Sequence, residues 1–98
     1  MTLNIKKNEN EATIEIIGRL DTVTAPSLDK MINEELSGVT NLTLDMNALD
    51  YISSAGLRVL LSTQKKMQKI GAMKLVGVCD SVMEVFEMTG FADILTIE

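Results

Sequence analysis

Apolar residues along this chain follow two rhythms in turn, and that alternation limits the fold more than any single motif. Leu3 and Ile5, then Ala12, Ile14 and Ile16, recur at every second position on either side of the polar turn Asn8-Glu9-Asn10. Two such runs around a short turn predict a β-hairpin. Leu28, Met31, Ile32 and Leu36 then recur at helical spacing, and Leu42, Leu44 and Met46 return to period two within a strand over Val39–Met46. Leu57, Leu60, Leu61, Met67 and Ile70 form the stripe of a second helix, expected from about Ser54 to Ile70. Met73 to Val78 reads as a strand, Val82, Val85 and Phe86 as the buried side of a third helix, and Ile94, Thr96 and Ile97 as a last short strand. The predicted order is β-β-α-β-α-β-α-β. Strands alternating with helices imply right-handed parallel crossovers, and the hairpin adds an antiparallel edge. The expected fold is α/β: one domain over residues 1–98, a mixed sheet of about four to five strands with helices packed on it.

Local signals mark the boundaries. Thr24 is placed to cap the first helix, and Pro26 suits its first turn, where the missing N–H is not needed. Gly38, Gly71 and Gly90 stand where the three helices should end. Ser81-Val82-Met83-Glu84 has the pattern of a capping box.

Composition excludes several kinds of function. The net charge of −5 leaves no basic face for a phosphate backbone, and three aromatics, Tyr51, Phe86 and Phe91, give no stacking platform for single strands. No partner of nucleic acid or membrane is expected. Met1–Asn10 lacks the apolar stretch of a signal peptide, and no run approaches the roughly 18 apolar residues of a membrane span. Cys79 is the only cysteine, so no internal disulfide can form, which fits the cytoplasm as the expected location. Cys79 itself, after an apolar strand, reads as a small buried residue. Met83 and Met88 lie outside the third helix's clearest stripe and read as ordinary gap fillers, with exposed contact residues as the alternative.

Chemistry concentrates in Asp45-Met46-Asn47-Ala48-Leu49-Asp50-Tyr51-Ile52-Ser53-Ser54-Ala55-Gly56-Leu57. A strand ends, a polar loop follows, and two hydroxyls open a helix. A helix N-terminus offers free N–H groups and partial positive charge, so it tolerates a phosphate on Ser54. Ser54 can equally be a plain cap; alternatively Ser53 caps and Ser54 is the first helical residue. The residues alone leave cap and functional hydroxyl both open. With no histidine in the chain, a Ser-His-Asp triad is excluded. Lys65 and Lys66 would stand about 16 Å along the helix from Ser54, too far to act as its base. No catalytic residue is expected. Glycine-rich phosphate loops are missing from the sequence. Asp21, Asp45 and Asp50 match no calcium-loop spacing. Neither a metal nor a cofactor is expected.

Gly18-Arg19-Leu20-Asp21-Thr22-Val23-Thr24-Ala25, Leu42-Thr43-Leu44-Asp45, Asp50 to Leu57 and Phe86-Glu87-Met88-Thr89-Gly90-Phe91 together resemble the STAS domain, and within it the stand-alone bacterial anti-sigma factor antagonists. The resemblance covers nearly the whole chain. It implies a switch protein that binds a serine kinase acting as an anti-sigma factor and so frees a sigma factor. Phosphorylation of one serine would release the kinase, and a PP2C-type phosphatase would restore the antagonist. The family's acceptor position matches Ser54. The acid that often precedes it is Ser53 here, so Ser53 is the secondary candidate. The family's loop aspartate matches Asp21, and Asp21, Thr22, Ser53, Ala55, Gly56, Leu57 and Arg58 would meet the partner. The same resemblance leaves an alternative: a STAS-type binding or scaffold module that controls a non-sigma output or holds a small anionic ligand.

Overall fold

The computed structural model describes residues 1–98. β1 (Thr2–Asn8) and β2 (Glu11–Leu20) form the expected antiparallel hairpin, with Leu3 opposite Ile16 and Ile5 opposite Ile14. Glu9 turns the chain with a positive φ of 57°. α1 (Ala25–Glu35) follows, with Pro26 in its first turn. β3 (Asn41–Asp45) then lies parallel to the first half of β2, and β4 (Leu49–Ile52) lies parallel to the end of β2. α2 (Ser54–Ile70) leads to β5 (Ala72–Val76), which pairs with β3, and α3 (Asp80–Thr89) is followed by a 3-10 turn at Phe91–Asp93.

The predicted succession is present, with two changes of detail. A short strand, β4, separates β3 from α2, where a polar loop was expected. The last strand is reduced to a single bridge between Ile97 and Leu75. The sheet therefore has five strands in the order β1-β2-β3-β5, with β4 on the far end of β2. β2 serves two partners in succession, β3 along residues 11–15 and β4 along residues 18–20, and its pairing with β4 carries a register shift at Gly18/Arg19, where Gly18 has φ 102°.

Alternation decides the layers. Ala12, Ile14, Ile16, Leu42, Leu44, Met73 and Leu75 point to one face and join a core of 21 buried residues. Leu28 and Ile32 of α1, Leu57, Leu60 and Met67 of α2, and Val82 and Phe86 of α3 close over it. Each such side chain, when fully buried, contributes about 1.5–3 kcal/mol. The opposite face carries Lys6, Thr13, Thr43 and Lys74 in register across four strands and faces solvent. One-sided burial is common for antiparallel pairs such as β1–β2; here it extends over β3 and β5, which run parallel to β2.

Several boundary signals resolve differently from expectation. Thr24 makes no cap bond to α1; its hydroxyl donates to the Arg19 carbonyl and accepts from the Asp21 N–H instead. Ser81 lies inside α3, whose cap position is Cys79, so the Ser81–Glu84 box does not form. α1 ends at Glu35, ahead of Gly38. Gly71 and Gly90 do end α2 and α3, Gly90 with a left-handed φ of 80°. A Cβ on Gly71 would fall inside the Thr40 carbonyl, so only glycine lets α2 turn this tightly into β5. Ile70 leaves the apolar stripe and is 56% exposed, while Thr63 and Gln64 take buried places on α2. Thr63 returns its hydroxyl to the Val59 carbonyl; the buried Gln64 Oε1 finds no partner within the chain. Met83 packs on the core as expected of a gap filler, whereas Met88 is 86% exposed.

Candidate functional site

The pairing of β2 with β4 builds the site. Arg19 stands opposite Tyr51 and Leu20 opposite Ile52, and the Ser53 N–H continues the ladder by donating to the Leu20 carbonyl at 2.9 Å. The loop after β2, which carries Asp21 and Thr22, is thereby brought beside the start of α2. Gly56 sets the approach: a Cβ there would lie 2.8 Å from Leu20 Cγ and 2.9 Å from Ile52 Cγ1. The first turn of α2 can rest on β2 only because that side chain is missing.

The two serines divide the work. Ser53 is the N-cap, in extended conformation, and its Oγ accepts from the Gly56 N–H at 3.4 Å. Ser54 is the first residue of α2, is exposed, and its hydroxyl forms no hydrogen bond within the chain. The N–H groups of the first turn have no partner within the helix, so the Ser54 hydroxyl stands at the positive end of a helix of 17 residues. Arg58 is exposed one turn further on, the spacing that puts two side chains on one face.

Asp21 is committed to its own loop. Its Oδ1 accepts from the N–H groups of Val23 and Thr24, each at 3.0 Å, and lies 3.1 Å from the Thr24 hydroxyl, whose one proton it shares with the Arg19 carbonyl. The Thr24 N–H, above all, holds the carboxyl below the usual carboxylate range; the Thr24 hydroxyl, the Val23 N–H and Arg19 add to this against an opposing desolvation. Arg19 Nε lies 3.9 Å from Asp21 Oδ2, and the guanidinium sits 4.2 Å from the centre of the Tyr51 ring. This Arg19–Tyr51 stack went unmarked at the sequence level, since the two residues meet only through the β2–β4 register. Val23, 83% exposed, is the apolar tip of the same loop.

Of the residues expected to meet a partner, Asp21, Thr22, Ser53, Ser54 and Arg58 lie at one surface, Asp21 and Ser53 half-buried and the others exposed. Ala55 is half-buried. Gly56 and Leu57 are turned inward, Leu57 being 5% exposed within the core; they hold the surface up from beneath. Asp45 and Asp50 stand apart from this arrangement. Asp45 accepts from the backbone and side chain of Asn47, and no three acidic, cysteine or histidine residues gather to hold a metal ion. Cys79 is half-buried at the start of α3, not enclosed as expected: the Ser81 hydroxyl, 3.3 Å away, is the main influence lowering its thiol pKa.

The Ser54 surface is not a cleft. The two main cavities, of about 460 and 230 Å³, lie on the open sheet side and between α1 and α2, and neither is lined by Ser53 or Ser54. No helix is long and apolar enough to cross a membrane.

Comparison with known proteins agrees with this architecture. The anti-sigma-B factor antagonist of Bacillus subtilis strain 168 is 29% identical over 98 residues, covering 99% of this chain and 90% of that protein. An anti-sigma factor antagonist from Mycobacterium paratuberculosis superposes with a TM-score of 0.87 at 23% identity, covering 98% of this chain and 83% of that one. The Bacillus cell fate determinant SpoIIAA, solved in its phosphorylated form, superposes with a TM-score of 0.77 at 16% identity, covering 99% and 91%. The sequence profile of the STAS domain matches residues 2–98. Hairpin, five-stranded mixed sheet and serine-led α2 thus come together with a profile that runs the length of the chain, which belongs to the STAS domain family.

Proposed function

We propose that this chain is an anti-sigma factor antagonist that works by partner switching, with Ser54 as its phosphoacceptor. The observation that carries the reading is the division of labour between the serines: Ser53 caps α2 while the Ser54 hydroxyl is exposed and uncommitted. Support comes from the likeness to the anti-sigma-B factor antagonist of Bacillus subtilis and to SpoIIAA, solved in its phosphorylated form.

In this reading the unphosphorylated chain binds a serine kinase that is also the anti-sigma factor. The contact surface is Ser54 with Ser53, Ala55, Arg58, Asp21 and Thr22, buttressed by Gly56 and Leu57. Phosphate adds about −1.5 to −2 charges at Ser54. The helix N-terminus accepts that charge, and Arg58 stands one turn away to share it, so the domain stays folded. The partner instead faces a solvated dianion inside its interface, where desolvation and repulsion end the contact. A PP2C-type phosphatase then returns the chain to its binding form. The chain is the substrate of both enzymes and performs no catalysis itself, and it acts in the cytoplasm.

The test uses wild type, Ser54→Ala and Ser54→Asp as baits in host lysate. A small serine kinase retained by wild type and Ser54→Ala but lost with Ser54→Asp is the expected result. Equal retention on all three baits overturns the assignment of Ser54.

A further inference from the structure

Ser54 opens α2 with little beside it. Ala55 is small, Gly56 has no side chain, and Leu57 is buried in the core. Arg58 is the first residue after Ser54 that is both long and exposed. Residues four apart on a helix have Cβ atoms about 5–6 Å apart, and helical side chains lean toward the N-terminus, over the preceding turn. The Arg58 side chain is thus directed back toward Ser54. The next cation along α2 is Lys65, about 16 Å from Ser54 by helical rise.

Arginine is rare in this chain. Of its 9 lysines and arginines only Arg19 and Arg58 are arginines, and the two stand in different circumstances. Arg19 is engaged: its guanidinium lies 4.2 Å from the centre of the Tyr51 ring, and its Nε lies 3.9 Å from Asp21 Oδ2. The ion pairs of the molecule use Lys7, Arg19 and Lys74, so Arg58 has no carboxylate partner within the chain. While Ser54 is neutral, nothing holds the Arg58 guanidinium in place. A phosphate changes that. It brings about −1.5 to −2 charges and three acceptor oxygens, and a guanidinium meets two such oxygens with two parallel N–H donors, a geometry that lysine lacks.

We propose that Arg58 senses the state of Ser54. With Ser54 unmodified, its guanidinium is open to the partner. With phosphate on Ser54, it folds back and holds the phosphate in a bidentate pair. Phosphorylation then alters the contact surface twice, by adding a dianion and by withdrawing the free guanidinium. This role rests on Ser54 as the phosphoacceptor and assigns part of the release to a second, named residue.

The experiment places phosphoserine at position 54 during translation, so that no host kinase is needed. With two arginines, the isotope-labelled chain gives two Nε–H signals, and Arg58→Lys identifies which is which. Phosphorylation is expected to shift the Arg58 signal and slow its exchange, while the Arg19 signal stays in place. In phosphorus NMR the second ionisation of the phosphate, ordinarily near pH 6, should fall at a pH lower by about 0.5 in wild type than in Arg58→Gln. Arg58 is exposed, so both variants should fold, which their amide spectra report directly. The kinase retained by the Ser54→Ala bait supplies a binding readout. Arg58→Gln should bind it about tenfold more weakly, and phosphoserine should weaken binding by a smaller factor in Arg58→Gln than in wild type. An unmoved Arg58 signal, a phosphate that ionises at the same pH with and without Arg58, or a kinase bound equally by wild type and Arg58→Gln overturns the proposal. A Ser54→Ala bait that retains no kinase overturns the reading of Ser54 instead, and the Nε–H and phosphorus spectra still decide whether Arg58 holds the phosphate.

Discussion

Ser53 and Ser54 are neighbours of identical chemistry placed in different circumstances. Ser53 is in extended conformation and gives its oxygen to the Gly56 N–H; Ser54 is already helical and gives nothing to the fold. Ser53→Ala should therefore cost about 1 kcal/mol, and Ser54→Ala less than about 0.5 kcal/mol, measured by urea titration of each variant. Equal losses would mean that the cap is shared. The sequence alone allowed either serine as cap, because both registers satisfy the same preference; the Ser53–Leu20 ladder bond decides between them. Asp21 gives a second prediction. Its folded carboxyl is held below the usual aspartate range because the loop N–H groups bond the charged form. A depressed folded value means stabilisation that is complete above the unfolded pKa and lost as pH falls through the folded one. Asp21→Asn should thus be less stable than wild type at neutral pH, with the gap closing below about pH 4. A gap that persists unchanged to low pH would show that the charge is not what Asp21 contributes.

Among elements, those whose faces differ sharply were the most readable. β2 and β3 bury alternate residues against a solvated far side, and α2 wraps one stripe on the core, so periodicity revealed them. β4 escaped because its four residues run buried, exposed, exposed, buried, a pattern matching neither rhythm; it exists through its pairing with the end of β2. The Arg19–Tyr51 stack was hidden for the same reason. The cap of α3 was displaced by two residues because Ser81 satisfies the capping motif in sequence while Cys79 holds the position in space. The junction of β2, β4 and α2 also yields a prediction. Gly56→Ala places a methyl within 3.0 Å of Leu20 and Ile52 atoms and of the Leu20 carbonyl. Since that junction is close-packed, the variant should lose about 1–3 kcal/mol by overpacking. Chemical shifts should move along β2–β4 and the first turn of α2 while β1 stays unchanged. A variant as stable as wild type would mean that α2 can pivot away from β2 at little cost.

Across the whole molecule, helices cover one face of the sheet and the other faces water, so its surfaces are unequal. The start of α2 offers hydroxyls, a stacked arginine and an exposed Val23; the end of α2 offers a small groove against α1, lined in part by Ile32, Leu36, Met67 and Ile70. One rigid helix separates them, and the shared core beneath spans all three helices. Such an arrangement suits a small adaptor that is read by contact. It also bears on time. Since the Ser54 hydroxyl supports no part of the structure, adding or removing a phosphate there asks no segment to unfold, repack or isomerise. Under the proposed switch, the state of the molecule would be stored as charge and not as shape. Its response time would then be the turnover time of the enzymes that write and erase the mark, with no delay added by the domain itself.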